Sequence, residues 1–305
     1  MPLMTNKLLL TGANGFLGRA FANAAVPGTE IVAVSGHRHA RDGALTLDLR
    51  HKDSVRAVIR EIRPTHVVNF ASLGVTRDAS TLADLLMVNT VGALNLVEAL
   101  AEEGQAAHTV LFGTAYEYAD SSERLGEDAR LEPQSPYAIS KTTLQYALNQ
   151  YAGAAPLTFL RLFNVFGVGE PAERLIPFIA RKARAGVDIP LTGGEQQRDF
   201  MCVDDLVAIL HRLVALPAPS SGGLRTINVG TGVGTPLRTF IGLAAQALER
   251  QGLTPKLKFG ALPYRAQDPM HCVADNTRLR ELLGDIPFTD LPLAVDRTVQ
   301  ALHEH

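Results

Sequence analysis

Apolar positions gather in short runs along the first half of the chain, separated by longer stretches with helical spacing. Residues 8–10, 31–34, 66–70, 109–112 and 158–163 read as buried strands, and residues 16–25, 52–63, 81–103 and 137–152 as helices. Pro64 stops the second helix, because proline disfavours the α region in the residue before it. Strand and helix alternating in this way predict a parallel sheet covered by crossover helices. The second half is less regular. Residues 175–185 and 204–216 read as helices, 188–194 as a short strand and turn, 200–203 and 226–230 as strands, and 217–223 as a loop. From Pro236 the pattern predicts one long helix, a Pro-rich segment through Pro269 and two short helices.

This pattern predicts an α/β protein: a doubly wound parallel sheet of Rossmann type with a smaller α/β substrate-binding lobe and a cleft between them. The sheet domain is expected over residues 1–165 plus 198–230, and the lobe over 166–197 plus 231–305. Composition removes other classes. The 29 Lys+Arg and 31 Asp+Glu of the 305 residues leave no cationic excess to neutralise nucleic acid or an anionic membrane. Cys202 and Cys272 stand apart without metal-ligand spacing, so they are expected as core residues in a reducing compartment. The apolar run 7–10 ends at Thr11-Gly12, far short of the roughly 18 residues of a membrane span. Residues 1–6 hold no signal-peptide h-region, so a cytoplasmic protein is expected.

Thr11-Gly12-Ala13-Asn14-Gly15-Phe16-Leu17-Gly18 follows the first strand and opens the first helix. Glycines spaced by three allow a tight turn, close approach of the backbone to a pyrophosphate, and close packing of helix on strand. The motif therefore points to a dinucleotide, the other reading being an ordinary strand-to-helix turn. The second strand ends in Ser35-Gly36-His37-Arg38 with Arg41 close by. An acid at that turn would bond the ribose 2′-OH of NAD, whereas arginine suits the 2′-phosphate of NADP. NADP is thus favoured over NAD, unless Arg38 and Arg41 are solvated loop charges. Asp48, followed by Leu49, either caps the adenine or is the N-cap of the next helix.

Tyr137 and Lys141 lie four apart at the start of a helix, hence on one face, behind Ser135 as cap and Pro136 in the first turn. The helix dipole and the Lys141 ammonium both favour phenolate, which suits Tyr137 to acid/base work; alone, such a spacing is also that of a surface pair. Thr114 follows the strand ending at Gly113 and adds a hydroxyl.

Together with Asn89 in Val88-Asn89-Thr90-Val91-Gly92, these residues resemble the extended branch of the short-chain dehydrogenase/reductase superfamily, which acts on nucleotide sugars. The resemblance implies Tyr137 as acid/base, Lys141 holding the nicotinamide ribose, and Thr114 orienting the substrate oxygen. It implies that Phe70, Ala71 and Ser72 line the dinucleotide with Gly12, Asn14, Gly15, Phe16, Leu17, Gly18, Arg38, Asp48 and Leu49, and that Asn89 supports the site. Arg161-Leu162-Phe163-Asn164, Gln197-Arg198-Asp199-Phe200 and Arg265-Ala266-Gln267-Asp268 are similar to segments that hold the sugar diphosphate, so Thr76, Asn164, Arg198 and Arg265 are expected to contact substrate. Dehydratases of this branch carry acids directly after the Ser/Thr; here Ala115 and Tyr116 stand there, and only Glu117 could reach in from a bulged loop. The expected activity is therefore an NADP-dependent reduction of a keto sugar, at C4, with an NAD-retaining epimerase as the alternative. A dehydratase and a non-catalytic dinucleotide-binding protein rank lower. A homodimer through helices 81–103 and 137–152 is implied as well.

Overall fold

A computed structural model describes residues 6–36, 46–74, 81–153, 155–217, 223–264 and 268–302. The first part of the chain alternates β1 (Asn6–Thr11), α1 (Phe16–Ala22), β2 (Thr29–Val34), α2 (Lys52–Ile62) and β3 (His66–Asn69). Then come α3 (Leu82–Leu85), a wider π-helical turn (Leu86–Val91) running into α4 (Gly92–Glu102), β4 (His108–Thr114), α5 (Pro136–Leu148) and β5 (Leu157–Leu162). The remaining elements are β6 (Asn164–Phe166), α6 (Leu175–Arg184), β7 (Asp188–Pro190), β8 (Gln197–Cys202), α7 (Val203–Ala215), β9 (Leu224–Val229) and β10 (Gly234–Pro236). The chain ends with α8 (Leu237–Glu249), β11 (Lys256–Lys258), β12 (His271–Cys272), α9 (Thr277–Leu283) and α10 (Leu291–Ala301).

Two compact units emerge: residues 1–117, 133–161 and 207–227, and residues 118–132, 162–206 and 228–305. The first holds most of a six-stranded sheet of order β2-β1-β3-β4-β5-β9. β1 pairs in parallel with β2 and β3, and β3 in parallel with β4, so the strand order reverses at β1. A parallel bridge from Ser35 to Thr46 continues the sheet outside β2. Leu8, Leu9 and Leu10 are all fully buried, as a strand covered on both faces requires. Leu9 joins Val55, Ile59, Val67, Leu96 and Leu100 beneath α2 and α4, while Val97, Leu111, Leu144, Leu157 and Phe159 pack beneath α4 and α5. α1 and α7 meet through Phe21 and His211.

Helix ends follow local chemistry. α2 closes on Arg63 in a left-handed conformation, directly before Pro64. A reciprocal capping box of Thr81 and Asp84 opens α3. The stretch Leu82–Glu102 forms one continuous helix of 21 residues, as the pattern over 81–103 predicted, and it is long and apolar enough to cross a membrane, which no single apolar run indicated. Half of it is buried within the chain, and its Asn89, Thr90 and Asn95 are hydrogen-bonded there, so its apolar stripe serves the core.

In the second unit β8 pairs with β10, β12 and β6, and β7 pairs with β11. Phe200 stacks on Phe240, with Phe166 edge-on, over a core that includes Ile176, Ile179, Ile241, Leu248, Val295 and Val299. Strands β6, β10, β11 and β12 were not expected from the sequence. Each is at most three residues long, too short to show an alternating pattern.

Candidate active site

The glycine motif folds as its spacing requires. Gly12 has φ +69°, and a Cβ there would stand 2.5 Å from the Ala71 backbone nitrogen. A Cβ on Gly18 would lie 2.1 Å from the Gly12 carbonyl oxygen, so α1 sits directly on the loop. Gly15 is the N-cap of α1 and offers no side chain to the first turn, which leaves those N–H groups for an anion. The cradle is one that side chains would fill, and it fits a pyrophosphate.

The end of β3 closes against this loop. Asn69 Oδ1 accepts hydrogen bonds from the Thr11 hydroxyl (2.5 Å) and the Ala71 N–H (3.1 Å). Phe70 stacks on Phe112 at 4.5 Å. Asn89, in the π-helical turn, then ties loop to helix: its Oδ1 accepts from the Leu73 N–H (2.8 Å) and the Ser72 hydroxyl (3.1 Å), and its Nδ2 donates to Ser140 Oγ (2.9 Å). The Ser140 hydroxyl donates to the Tyr137 carbonyl (2.7 Å). The widened turn is where a helix can aim such a side chain sideways, and turns of this kind recur at functional sites. The structure thus brings Gly12, Ala71, Ser72, Asn89 and Tyr137 into one connected set.

Ser135 caps α5 through its hydroxyl, which accepts from the Ala138 N–H at 3.2 Å, with Pro136 in the first turn. Tyr137 is half-buried and Lys141 is 5% exposed. The Lys141 ammonium lies 5.7 Å from the centre of the Tyr137 ring. Burial holds the amine well below the usual lysine range, down to about 8, and the negative charge of Glu117 pushes it back up. Thr114, at the end of β4, is buried, and its hydroxyl accepts from the Tyr116 N–H at 3.4 Å.

Glu117 does not reach outward. It is fully buried, accepts the Thr114 N–H at 2.7 Å through Oε1, and pairs with Arg161 Nε at 3.0 Å through Oε2. The expectation of a bulge bringing this acid toward substrate is therefore corrected: residues 115–117 form a tight helical turn that points the side chain under β4. The Glu117–Arg161 pair was missed in the sequence. The signal available was an arginine inside a mostly apolar strand, Leu157–Leu162, which needs a buried counter-charge.

Asp48 is not the N-cap of α2; His51 holds that position, and Asp48 turns back to accept from Arg50, with Nη2 at 2.6 Å. That contact pulls its carboxyl down to about 2. Leu49 is core, packed beside Gly92, and its carbonyl accepts from Asn95. In the second unit Asn164 opens β6, and Arg198 is 4% exposed, donating to Asp268 Oδ1 and the Pro269 carbonyl, both at 2.7 Å. Two segments matched separately in the sequence thus meet through Arg198 and Asp268. Arg38, Arg41, Thr76 and Arg265 lie outside the described residues. The thiols of Cys202 and Cys272 are buried, and burial pushes them up to about 11 and about 12, which disfavours the thiolate at neutral pH.

A family model described as the NAD dependent epimerase/dehydratase family matches residues 8–230. The chain belongs to that family. It is accordingly an enzyme of an NAD-dependent class, with the glycine cradle and the Tyr137–Lys141 face inside the matched span. Among curated family members it is similar to GDP-6-deoxy-D-talose 4-dehydrogenase of Aggregatibacter actinomycetemcomitans, at 27% identity over 93% of this chain and 94% of that one. It is also similar to UDP-glucose 4-epimerase of Azospirillum brasilense, at 30% identity over 93% and 88%. In fold it matches the Thermus thermophilus UDP-glucose 4-epimerase solved with NAD, at TM-score 0.81 and 24% identity over 97% of this chain and 99% of that one.

Proposed function

We propose that this enzyme moves a hydride and a proton at the hexose C4 of a nucleoside-diphosphate sugar, its net reaction being the reduction of a 4-keto sugar with NADP(H). The observation that carries the reading is the Thr114, Tyr137 and Lys141 set together with the retracted Glu117. Supporting it, Tyr137 and Lys141 share one helical face, and Glu117, the acid nearest after Thr114, is buried on Arg161. The first relative reported above, named as a 4-dehydrogenase, supports a net redox outcome.

Gly12, Asn14, Gly15, Phe16, Leu17 and Gly18 would hold the dinucleotide pyrophosphate, Asp48 and Leu49 the adenine end, and Phe70, Ala71, Ser72 and Asn89 its other wall. When bound, the nicotinamide supplies the hydride. Tyr137 donates the proton to the C4 oxygen, and the Thr114 hydroxyl holds that oxygen in line. Lys141 contacts the nicotinamide ribose and keeps the Tyr137 phenolate stable after proton transfer. Arg198, Arg265, Asn164 and Thr76 are assigned to the substrate diphosphate and sugar. Arg38 is assigned to the 2′-phosphate, supported by a turn, Ser35-Gly36, without an acid.

The epimerase reading is favoured by the 30% identity to a UDP-glucose 4-epimerase. Mass spectrometry of the dinucleotide released on denaturing the fresh protein separates the two. No bound dinucleotide, or NADP(H), is expected; stoichiometric NAD would establish the epimerase. Tyr137→Phe should lower kcat by about 10³-fold with dinucleotide affinity within about twofold, and retained turnover would remove Tyr137 from the chemistry. A cytoplasmic homodimer is part of the proposal, supported by Leu82, Met87, Val91 and Tyr146, which remain exposed on the helices expected to pair. Light scattering should give twice the chain mass, and charge placed at Met87 and Tyr146 should return the monomer.

A further inference from the structure

Behind Thr114 lies a charged pair that water does not reach. The side chains of Glu117 and Arg161 are 0% and 1% exposed, at 3.0 Å. A buried ion pair is rarely a net gain over well-packed apolar residues, so its presence beside a reacting group asks what only charge supplies there. Three observations answer together. First, Gly113 is the notch that admits the carboxylate: a Cβ there would stand 2.3 Å from Glu117 Oε1 and 2.4 Å from the Phe159 ring. Second, that same oxygen takes the Thr114 N–H, so the backbone carrying the reacting hydroxyl is fixed by Glu117. Third, Arg161 Nη2 donates to Gln145 Oε1 at 2.5 Å, and Gln145 follows Lys141 by one helical turn on the face that carries Tyr137.

We propose that Glu117 and Arg161 are the positioning pair of this active site: Glu117 fixes the Thr114 backbone and supplies the counter-charge that keeps buried Lys141 an ammonium, and Arg161 keeps Glu117 ionised and locks it to α5. The inference deepens the assignment of Thr114, Tyr137 and Lys141 made above and rests on it.

Among the described residues, the other ionisable groups around α5 are committed elsewhere. Asp84 of α3 is held by Thr81, and Glu98 of α4 by Lys52 and Tyr151. The π-helical turn carries no ionisable side chain, Glu102 of α4 pairs with Lys52, and His108 lies at the opposite end of β4, bonded to Thr158. On α5 itself, Tyr137 faces Lys141 and Tyr146 points to solvent. Burial acts on Lys141 against its charge, and Glu117 acts for it.

The test reads Lys141 without any substrate. Thermal midpoints of the full chain and of Lys141→Met are measured from pH 6 to pH 10. Their difference changes slope where folded Lys141 loses its proton, near about 8. The same two measurements are then made in a Glu117→Gln background, where the break is expected about one pH unit or more lower. Should Glu117→Gln alone fail to fold, Glu117→Gln with Arg161→Met, which also removes the guanidinium that Glu117→Gln leaves without its carboxylate, replaces it as background. An unmoved break, or failure of both backgrounds to fold, would assign the pair to architecture and overturn the inference. A companion titration with NADPH is expected to show affinity falling with pH at the same break, and at the lower one in the Glu117 variant. Retained turnover in Tyr137→Phe would overturn the assignment of the reacting group while leaving the position of the break intact, so the two failures are distinguishable.

Discussion

Glu117 in the first unit and Asp199 in the second are both fully buried carboxylates, and each sits in a notch left by a glycine. A Cβ on Gly113 would meet Glu117 Oε1 at 2.3 Å, and one on Gly230 would meet Asp199 Oδ2 at 2.6 Å. Their partners differ. Among the described residues Asp199 takes neutral donors: the Thr231 N–H and hydroxyl at 2.8 and 2.7 Å, the Gly232 N–H at 2.9 Å and the Ala274 N–H at 3.2 Å. Burial raises its carboxyl, and those donors oppose the rise. Burial raises the Glu117 carboxyl as well, and there the charge of Arg161, the Thr114 N–H and the charge of Lys141 oppose the rise. One carboxylate is a staple joining β8, the Thr231 turn and the segment after β12. The other pairs with Arg161 and takes the Thr114 N–H, the arrangement proposed above to position Thr114 and Lys141. Glycine notch and burial are common to both acids; what differs is the charge of the neighbours.

The sharpest way to break this contrast is at Lys141. Lys141→Met should lower turnover by about 10²-fold or more while raising the thermal midpoint. Holding the amine near about 8 against an ordinary 10.5 costs the folded state roughly 3 kcal/mol. The sign follows from linkage. With the folded value below the unfolded one, the cost is fully present below about pH 8 and is relieved as pH rises toward the unfolded value. The stability gain of the variant should therefore shrink above pH 8 in calorimetry; a fall in midpoint at pH 7 would show the ammonium to be structural.

Asp199→Ala probes the other side and should cost about 3 kcal/mol in denaturant unfolding, with turnover per folded molecule unchanged. A kcat effect there would erase the distinction. Gly18→Ala, whose Cβ meets the Gly12 carbonyl, should weaken dinucleotide binding by about tenfold in calorimetric titration and leave unit 2 untouched. Arg50→Ala is the smallest change. It frees the carboxyl of Asp48 toward its ordinary range, and the contribution of that contact is present above about pH 4 and lost as pH falls through about 2. At neutral pH the midpoint should move by no more than about 0.5 kcal/mol equivalent, as for an exposed pair.

Much of the first unit was legible because its signals are local. The three glycines, the Ser135 cap, Pro136 and the i, i+4 placement of Tyr137 and Lys141 act within one turn of chain, and each is found as expected. Asn89 and Ser72 lie 17 positions apart, and only the folded chain brings them to 3.1 Å. Of the two readings open for Asp48, the N-cap is removed because Arg50, two residues on, captures its carboxylate before the helix begins. The second unit was least legible. Its strands are two to six residues long, and their pairing, such as β8 with β12, is set by partners that lie far apart in sequence.

By itself the sequence determined the alternation of strands and helices, the glycine cradle and the single helical face carrying Tyr137 and Lys141, since backbone freedom and helical period are properties of neighbouring residues. The tertiary structure decided where Glu117 points and what it faces. Glu117 and Arg161 are 44 positions apart, and a charge becomes costly or useful only once folding has taken it out of water and chosen its partners.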